Sequence, residues 1–355
     1  MDASRTATLR AQLRPRALRP IMTSLNGDNS WLMSFPRPVD EAVKAGKAYF
    51  HVVFEPWLAG ATSVLSSWFI YITLSQPPAV GDVSAIKALI REIEDAARDD
   101  SSKDEAGSED RSETGYRGAI DAILLGFHYL DHLHEATLRT FDKQIPVIAT
   151  PEAAKILQTW GHFRNIALIH DLPASAKSWR SPELHPGGNL PGWLTPLRLP
   201  GHAELNFCLA IIWTHLDEAG VETHEALLNS PHGTRLDAGP LQAFLDAEPA
   251  TKKLAMLHGL KESHTFGYMT TLGAKGGLAL HRKIGGAKYW IPSHHSTLNY
   301  AGVFMRLLRT VDTPRTLPWA LEEEETGRKG DESCGTGEEP RVVQVENGAS
   351  LVLEL

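Results

Sequence analysis

The 355-residue chain is poor in cysteine, in long apolar runs and in net positive charge. Cys208 and Cys334 are its only cysteines, too few and too far apart for a disulfide framework or a cysteine-ligated zinc site, so a reducing compartment fits. No stretch nears the roughly 18–20 consecutive apolar residues that a membrane span needs, and no apolar core follows the N-terminus as in a secretory signal. The expectation is a soluble, cytoplasmic protein with no membrane partner. Lys and Arg number 35 against 43 Asp and Glu, a formal net charge of -8, which supplies no general basic face for phosphates. Nucleic acid is therefore not an expected partner. Two catalytic signatures are also missing. No Gly-x-Ser-x-Gly elbow occurs, and "GAKGG" at 273–277 lacks the Lys-Ser/Thr ending of a phosphate loop.

What is present is ordinary globular composition, 42% hydrophobic and 22% charged, in a length that fits one large α/β domain with peripheral insertions. Residues 1–22 carry five arginines against one acid and read as a flexible extension; mitochondrial transit peptides share that composition, so a mitochondrial address is the alternative. The main domain is placed at 23–318. Within it "TSLNGDNSWLMSF" and "YFHVVFEPWLAG" read as strands with turn chemistry at Asn26, Gly27 and Asp28. A helix capped by Asp82 or Ser84 follows, then a charged insertion near 96–116 with the composition of a disordered segment. The rest alternates between short apolar runs and helical patterns. An acidic linker is expected at 319–340, and a C-terminal hairpin at 341–355, turning at Glu346-Asn347-Gly348 and packing on the main domain.

Histidine is where the chemistry concentrates. "GFHYLDHLHEATL" places His128, Asp131, His132 and His134 just after the apolar run "AIDAILL", where a buried strand gives way to a loop. Catalytic groups of layered α/β folds collect at such strand ends. Neutral imidazoles and a carboxylate suit zinc or a related divalent ion, although a polar strand-to-helix loop has the same composition. An Asp beside such a site takes a proton or binds a second ion. His232, His258 and His294 stand at or just past three further apolar runs. Asn26-Gly27-Asp28 is either a tight turn or a support for the metal loops through hydrogen bonds.

The order "LNGD-SWL", "PWL", "H..DH.H..TL", "PHG", "HGL" and "AKYWIPSH" resembles the metallo-β-lactamase-fold superfamily, specifically a branch of stand-alone fungal hydrolase-like proteins, over most of Thr23 to Leu308. The resemblance implies a four-layer αββα sandwich with one or two metal ions, usually zinc. It also implies hydrolysis of lactams, esters, thioesters or phosphodiesters. It assigns Asp131, His132 and His294 to the metal, His232 to the bridging position where aspartate is more usual, and adds His128 and His134 as candidates. The chain departs from the H-x-H-x-D-H motif. Phe127 and Tyr129 stand at the first two histidine positions, and a further histidine expected near Phe207 is missing, His202 being its nearest substitute. The expected function is hydrolysis of a small lactam, ester or thioester by a metal-activated water, with Asp131 assisting proton transfer. A degenerate relative that keeps the fold for binding is the alternative motivated by Phe127, Tyr129 and Phe207.

Overall fold

The computed structural model describes residues 3–13, 17–64, 66, 68–98, 118–328 and 338–354. Two large mixed sheets face each other. The first runs Ser350–Val352, Ile21–Ser24, Trp31–Pro36, Tyr49–Phe54, Ala122–Leu125, Val147–Ala149, Ile166–Leu168, and is parallel from Tyr49–Phe54 onward. The second runs Tyr289–Ile291, Lys252–Leu257, Glu222–Asn229, Asn206–Leu216, Leu194–Ala203, His170–Asp171. Its first three strands are parallel to one another.

Three apolar layers hold four layers of structure together. Strand Asn206–Leu216 shows why, because side chains alternate across a strand with period two. Phe207, Leu209, Ile211 and Trp213 enter the core between the sheets, while Cys208, Ala210 and Ile212 enter the core beneath the helices Gly239–Asp246 and Gly273–Lys283. Both faces are covered, so the strand reads as a continuous apolar run. Burial pushes the Cys208 thiol up to about 12, leaving it inert at neutral pH. On the far side, Val83–Ala97 and Pro151–Trp160 cover the first sheet. Asp82 caps the former, accepting a 2.8 Å hydrogen bond from Ala85 N. This is the α/β, four-layer αββα sandwich of the metallo-β-lactamase type.

Three expectations change. The N-terminal extension contains a helix, Ala3–Leu13, whose Leu9 and Leu13 are buried in the first sheet's helix layer. Those leucines lie one turn apart, which gives the segment an apolar stripe to bury. Part of the acidic linker is likewise helical, Leu317–Arg328, with Leu317 and Ala320 buried. The C-terminal segment turns at Glu346, where Ala349 N donates to Glu346 O, yet among the described residues its arms do not pair with each other. Val342 bridges to Trp290 of the second sheet, and Ser350–Val352 pairs antiparallel with Ile21–Ser24 of the first. The segment thus ties both sheets. Of the charged insertion expected near 96–116, residues 96–98 end and follow helix Val83–Ala97 and the rest lies outside the described residues, as does 329–337 of the acidic linker.

Two smaller three-stranded sheets flank the strand ends. One is Tyr268–Leu272, Glu262–Thr265, Val311–Thr313; the other is Leu298–Ala301, Ile70–Leu74, Thr62–Val64. No helix among the described residues is long and apolar enough to cross a membrane.

Candidate metal centre

Parallel strands place their carboxyl ends at one edge of the sandwich, and the polar residues of that edge sit on the loops that leave those ends. Glu55 follows Tyr49–Phe54, His132 lies seven residues beyond Ala122–Leu125, His232 three beyond Glu222–Asn229, and His294 three beyond Tyr289–Ile291. The imidazoles of His132, His232 and His294 converge, with one nitrogen from each no more than 4.8 Å from the others. His132 is fully buried and His294 nearly so.

Each ring is oriented through its other nitrogen. His132 Nδ1 lies 2.6 Å from Glu55 Oε2, His294 Nδ1 3.2 Å from Asp28 Oδ2, and His232 Nδ1 3.0 Å from Thr271 Oγ1. With Nδ1 engaged, Nε2 turns inward, and the Nε2 atoms of His132 and His232 are buried with no hydrogen-bond partner among the described residues. Two orphaned basic nitrogens in one cluster would be costly to keep empty. They fit a metal ion, as does the donor set. Asp131 completes the group. Its Oδ2 is 3.9 Å from His132 Nε2 and 3.8 Å from His294 Nε2, and its side chain is 18% exposed, so it reaches both the cluster and the solvent.

The supports are themselves held. Asn26 Oδ1 accepts from Asp28 N at 2.9 Å and Ser30 N at 3.1 Å, which makes the Asn26-Gly27-Asp28 turn and aims Asp28 at His294. Ser296 N donates to Asp28 Oδ1 at 2.9 Å. Burial alone would raise the Asp28 carboxyl, but His294, Lys261 and Ser296 hold it well below the usual range. Glu55 accepts from Asn29 Nδ2 and from Gly126 N at 3.0 Å. A side chain at Gly126 would press to 3.0 Å from Glu55 Oε1, so glycine is what lets the backbone reach the carboxylate. In the metal-free chain burial would lower His132, but the charges of Glu55 and Asp131 prevail and raise it to about 9. Burial, reinforced by His294 and His132, drives His232 well below its ordinary value. Glu55 and His294 have φ of 44° and 53°, a left-handed backbone that costs non-glycine residues energy and that clusters at functional sites.

Of the predicted ligands, Asp131, His132, His232 and His294 come together, and His128 and His134 do not join them. Phe127 takes the inward direction with 3% exposure, so the adjacent His128 turns outward and pairs with Glu204 at 3.1 Å. His134 spends both nitrogens elsewhere: Nδ1 accepts from Thr137 N at the start of helix Glu135–Leu138, and Nε2 lies 3.2 Å from Ala61 O. His258 stands apart, its Nδ1 on Gly259 O at 2.7 Å and burial lowering it to about 4. His202 is exposed and pairs with Asp237. Sequence reasoning missed two residues that support the imidazoles, Thr271 and Glu55. The one local signal for Glu55 is a charge between strand Tyr49–Phe54 and Pro56.

The three residues that replace expected histidines also meet. The Phe127 ring lies 4.4 Å from that of Tyr129 and 5.3 Å from that of Phe207, and edge-on to His132 at 5.1 Å and His232 at 5.8 Å between centroids. An aromatic cluster stands beside the imidazoles.

No protein-family model matches the chain, and no curated protein matches it. Solved structures do. An isothiocyanate hydrolase from Delia radicum gut bacteria is 14% identical, with 94% of this chain and 100% of that one covered at a TM-score of 0.51. A possible metal-dependent hydrolase from Veillonella parvula is 13% identical, with 95% and 100% covered at 0.49. The metallo-β-lactamase-fold protein YhfI from Bacillus subtilis is 9% identical, with 94% and 99% covered at 0.42. At these identities the likeness is one of fold.

Proposed function

We propose that the chain is a hydrolase that works with one zinc ion, and that its substrate is a small lactam, ester or thioester. The observation that carries this reading is the convergence of His132, His232 and His294 beside Asp131, with two buried Nε2 atoms left without partners among the described residues. His132, His232 and His294 would hold the ion, with Asp131 at its solvent side. When bound, such an ion polarises a carbonyl oxygen and brings a water to ionise near neutral pH.

The chain's own residues supply the rest. Glu55, Asp28 and Thr271 fix the imidazole tautomers, so that Nε2 remains the free donor on each ring. Asp131 is the partly exposed carboxylate within reach of the cluster, placed to take a proton and pass it to solvent. Phe127 and Phe207 keep water from the inner side of the imidazoles, and Tyr129, 38% exposed, continues that apolar wall to the surface.

The aromatic cluster supports a reading with one ion rather than two. Phe127, Tyr129 and Phe207 stand where the superfamily pattern has further histidines, and none of the three is a good ligand at neutral pH. An acyl substrate is favoured over a phosphodiester by the cation nearest in effect. Lys261, whose charge reaches Asp28 and His232, is buried and committed to Ser296 O and Asp312. The fold neighbour that hydrolyses isothiocyanates is compatible with an uncharged electrophilic carbon as target. A screen of lactams, esters and thioesters, with and without a chelator, tests the reading. Turnover abolished by chelation and cut at least a hundredfold by Asp131→Asn is expected. Turnover that survives chelation would sink it. A metal-loaded chain inert toward every class would favour the binding-protein alternative.

A further inference from the structure

The two small sheets beside the metal centre carry an apolar surface that the proposed chemistry does not use. Trp68 is 65% exposed, Tyr268 78% and Leu307 63%, and Phe266, Val303 and Val311 are each more than half exposed. They form one connected surface. Val303 N donates to Trp68 O at 2.8 Å, and the Phe69 and Phe304 rings stack at 5.1 Å. Phe266 N donates to Leu308 O at 2.9 Å, and His264 pairs with Val311. The hairpin Glu262–Thr265/Tyr268–Leu272 also reaches the centre, since Thr271 holds His232. At about 3.3 Å per residue its tip at Phe266–Gly267 stands roughly 15 Å from that contact.

Charge on this surface runs against the rest of the protein. The chain has a net charge of -8, yet Pro56 to Gly81 contains no charged residue and Ser263 to Val311 no Asp or Glu; of the six Lys and Arg in that second stretch, Arg306 and Arg309 belong to this surface, the other four lying on or just after helix Gly273–Lys283. Glu262 and Asp312, which bound that second stretch, have side chains only 6% exposed and paired with Arg315 and Lys261. Arg306 and Arg309 are exposed on and just after helix Val303–Leu308, with no ion pair among the described residues.

We propose that this face docks on an anionic lipid bilayer, with Trp68, Tyr268, Phe266 and Leu307 entering the headgroup region and Arg306 and Arg309 meeting acidic phospholipids. Tryptophan and tyrosine favour that interface, and basic residues flanking an apolar face are the usual complement to acidic lipid. A second copy of the chain fits less well. An isologous dimer through this face would bring arginines against a surface that has no acid to meet them, whereas the lipid supplies the counter-charge. No membrane span is needed for such docking. It would present the metal centre to substrates dissolved in or anchored to the bilayer, but it stands independently of the hydrolase reading.

Co-sedimentation of the full chain with phosphatidylcholine vesicles, with and without one-third phosphatidylserine, tests it, alongside light scattering of the chain alone. Binding to the acidic vesicles alone is expected, weakening with salt, and falling about fivefold for each of Arg306→Gln and Arg309→Gln. Trp68→Ser with Leu307→Ser, both at exposed positions, should abolish binding while the circular dichroism spectrum and melting temperature stay unchanged. A chain that stays in the supernatant with acidic vesicles overturns the proposal. So does a dimer that the Trp68→Ser/Leu307→Ser variant converts to monomer, which would make the face a contact between copies.

Discussion

Two halves of one strand-end pocket have gone opposite ways. On one side His132, His232 and His294 each have an acceptor behind Nδ1, and two of those acceptors are buried carboxylates. On the other, Phe127, Tyr129 and Phe207 stand at positions where ligands are expected, and the Phe127 ring packs on the other two. The difference teaches that a buried imidazole is sustained by what lies behind it. Where support persists the ring can offer its free nitrogen; where ligands are replaced together, the space closes with apolar contact and leaves no stranded polar atom.

The sharpest way to break this contrast is to remove the support from the polar half. Glu55→Ala should destabilise the fold by about 3–5 kcal/mol, because it strands the His132 ring and the Gly126 N–H in the interior. Its melting temperature should fall with that loss, and metal binding with it. The apolar half responds differently. Phe127→Ala should cost a comparable ~3–5 kcal/mol by leaving a cavity, yet keep its metal equivalent, measured on the folded fraction. Milder changes sharpen the comparison. Asp28→Asn should retain the fold and weaken metal affinity about 10–100-fold in competition with a chromophoric chelator, and Thr271→Val should lie at the lower end of that range. The smallest effect belongs to a histidine outside the cluster. His134→Ala should cost about 1 kcal/mol through loss of the helix cap, with metal affinity unchanged.

Legibility in the sequence followed the same division. Alternating apolar runs and helical patterns pointed to a layered α/β domain and the family resemblance to its four-layer sandwich, while "DH" with "SPHG" and "IPSHH" marked residues that the fold brings together. Within 126–134 spacing alone could not say which rings turn inward, because a loop has no fixed period. His128 was turned away from the cluster by Phe127, and His134 by the cap it makes on Thr137. Glu55 carried no motif, since its meaning arises only when folding sets it against a residue 77 positions away. The N-terminal helix was missed because five arginines outweighed the one-turn spacing of Leu9 and Leu13. At the C-terminus the turn was readable. Its partners were not, as pairing with strands on two different sheets leaves no local trace.

The most direct test of a one-ion centre is metal content per folded chain, measured by inductively coupled plasma mass spectrometry on protein purified without chelator, together with His132→Ala and His294→Ala. One equivalent in the parent chain, lost in both variants, is the predicted result. Two equivalents, or a well-folded parent chain that takes up no metal even when zinc is supplied, would contradict it.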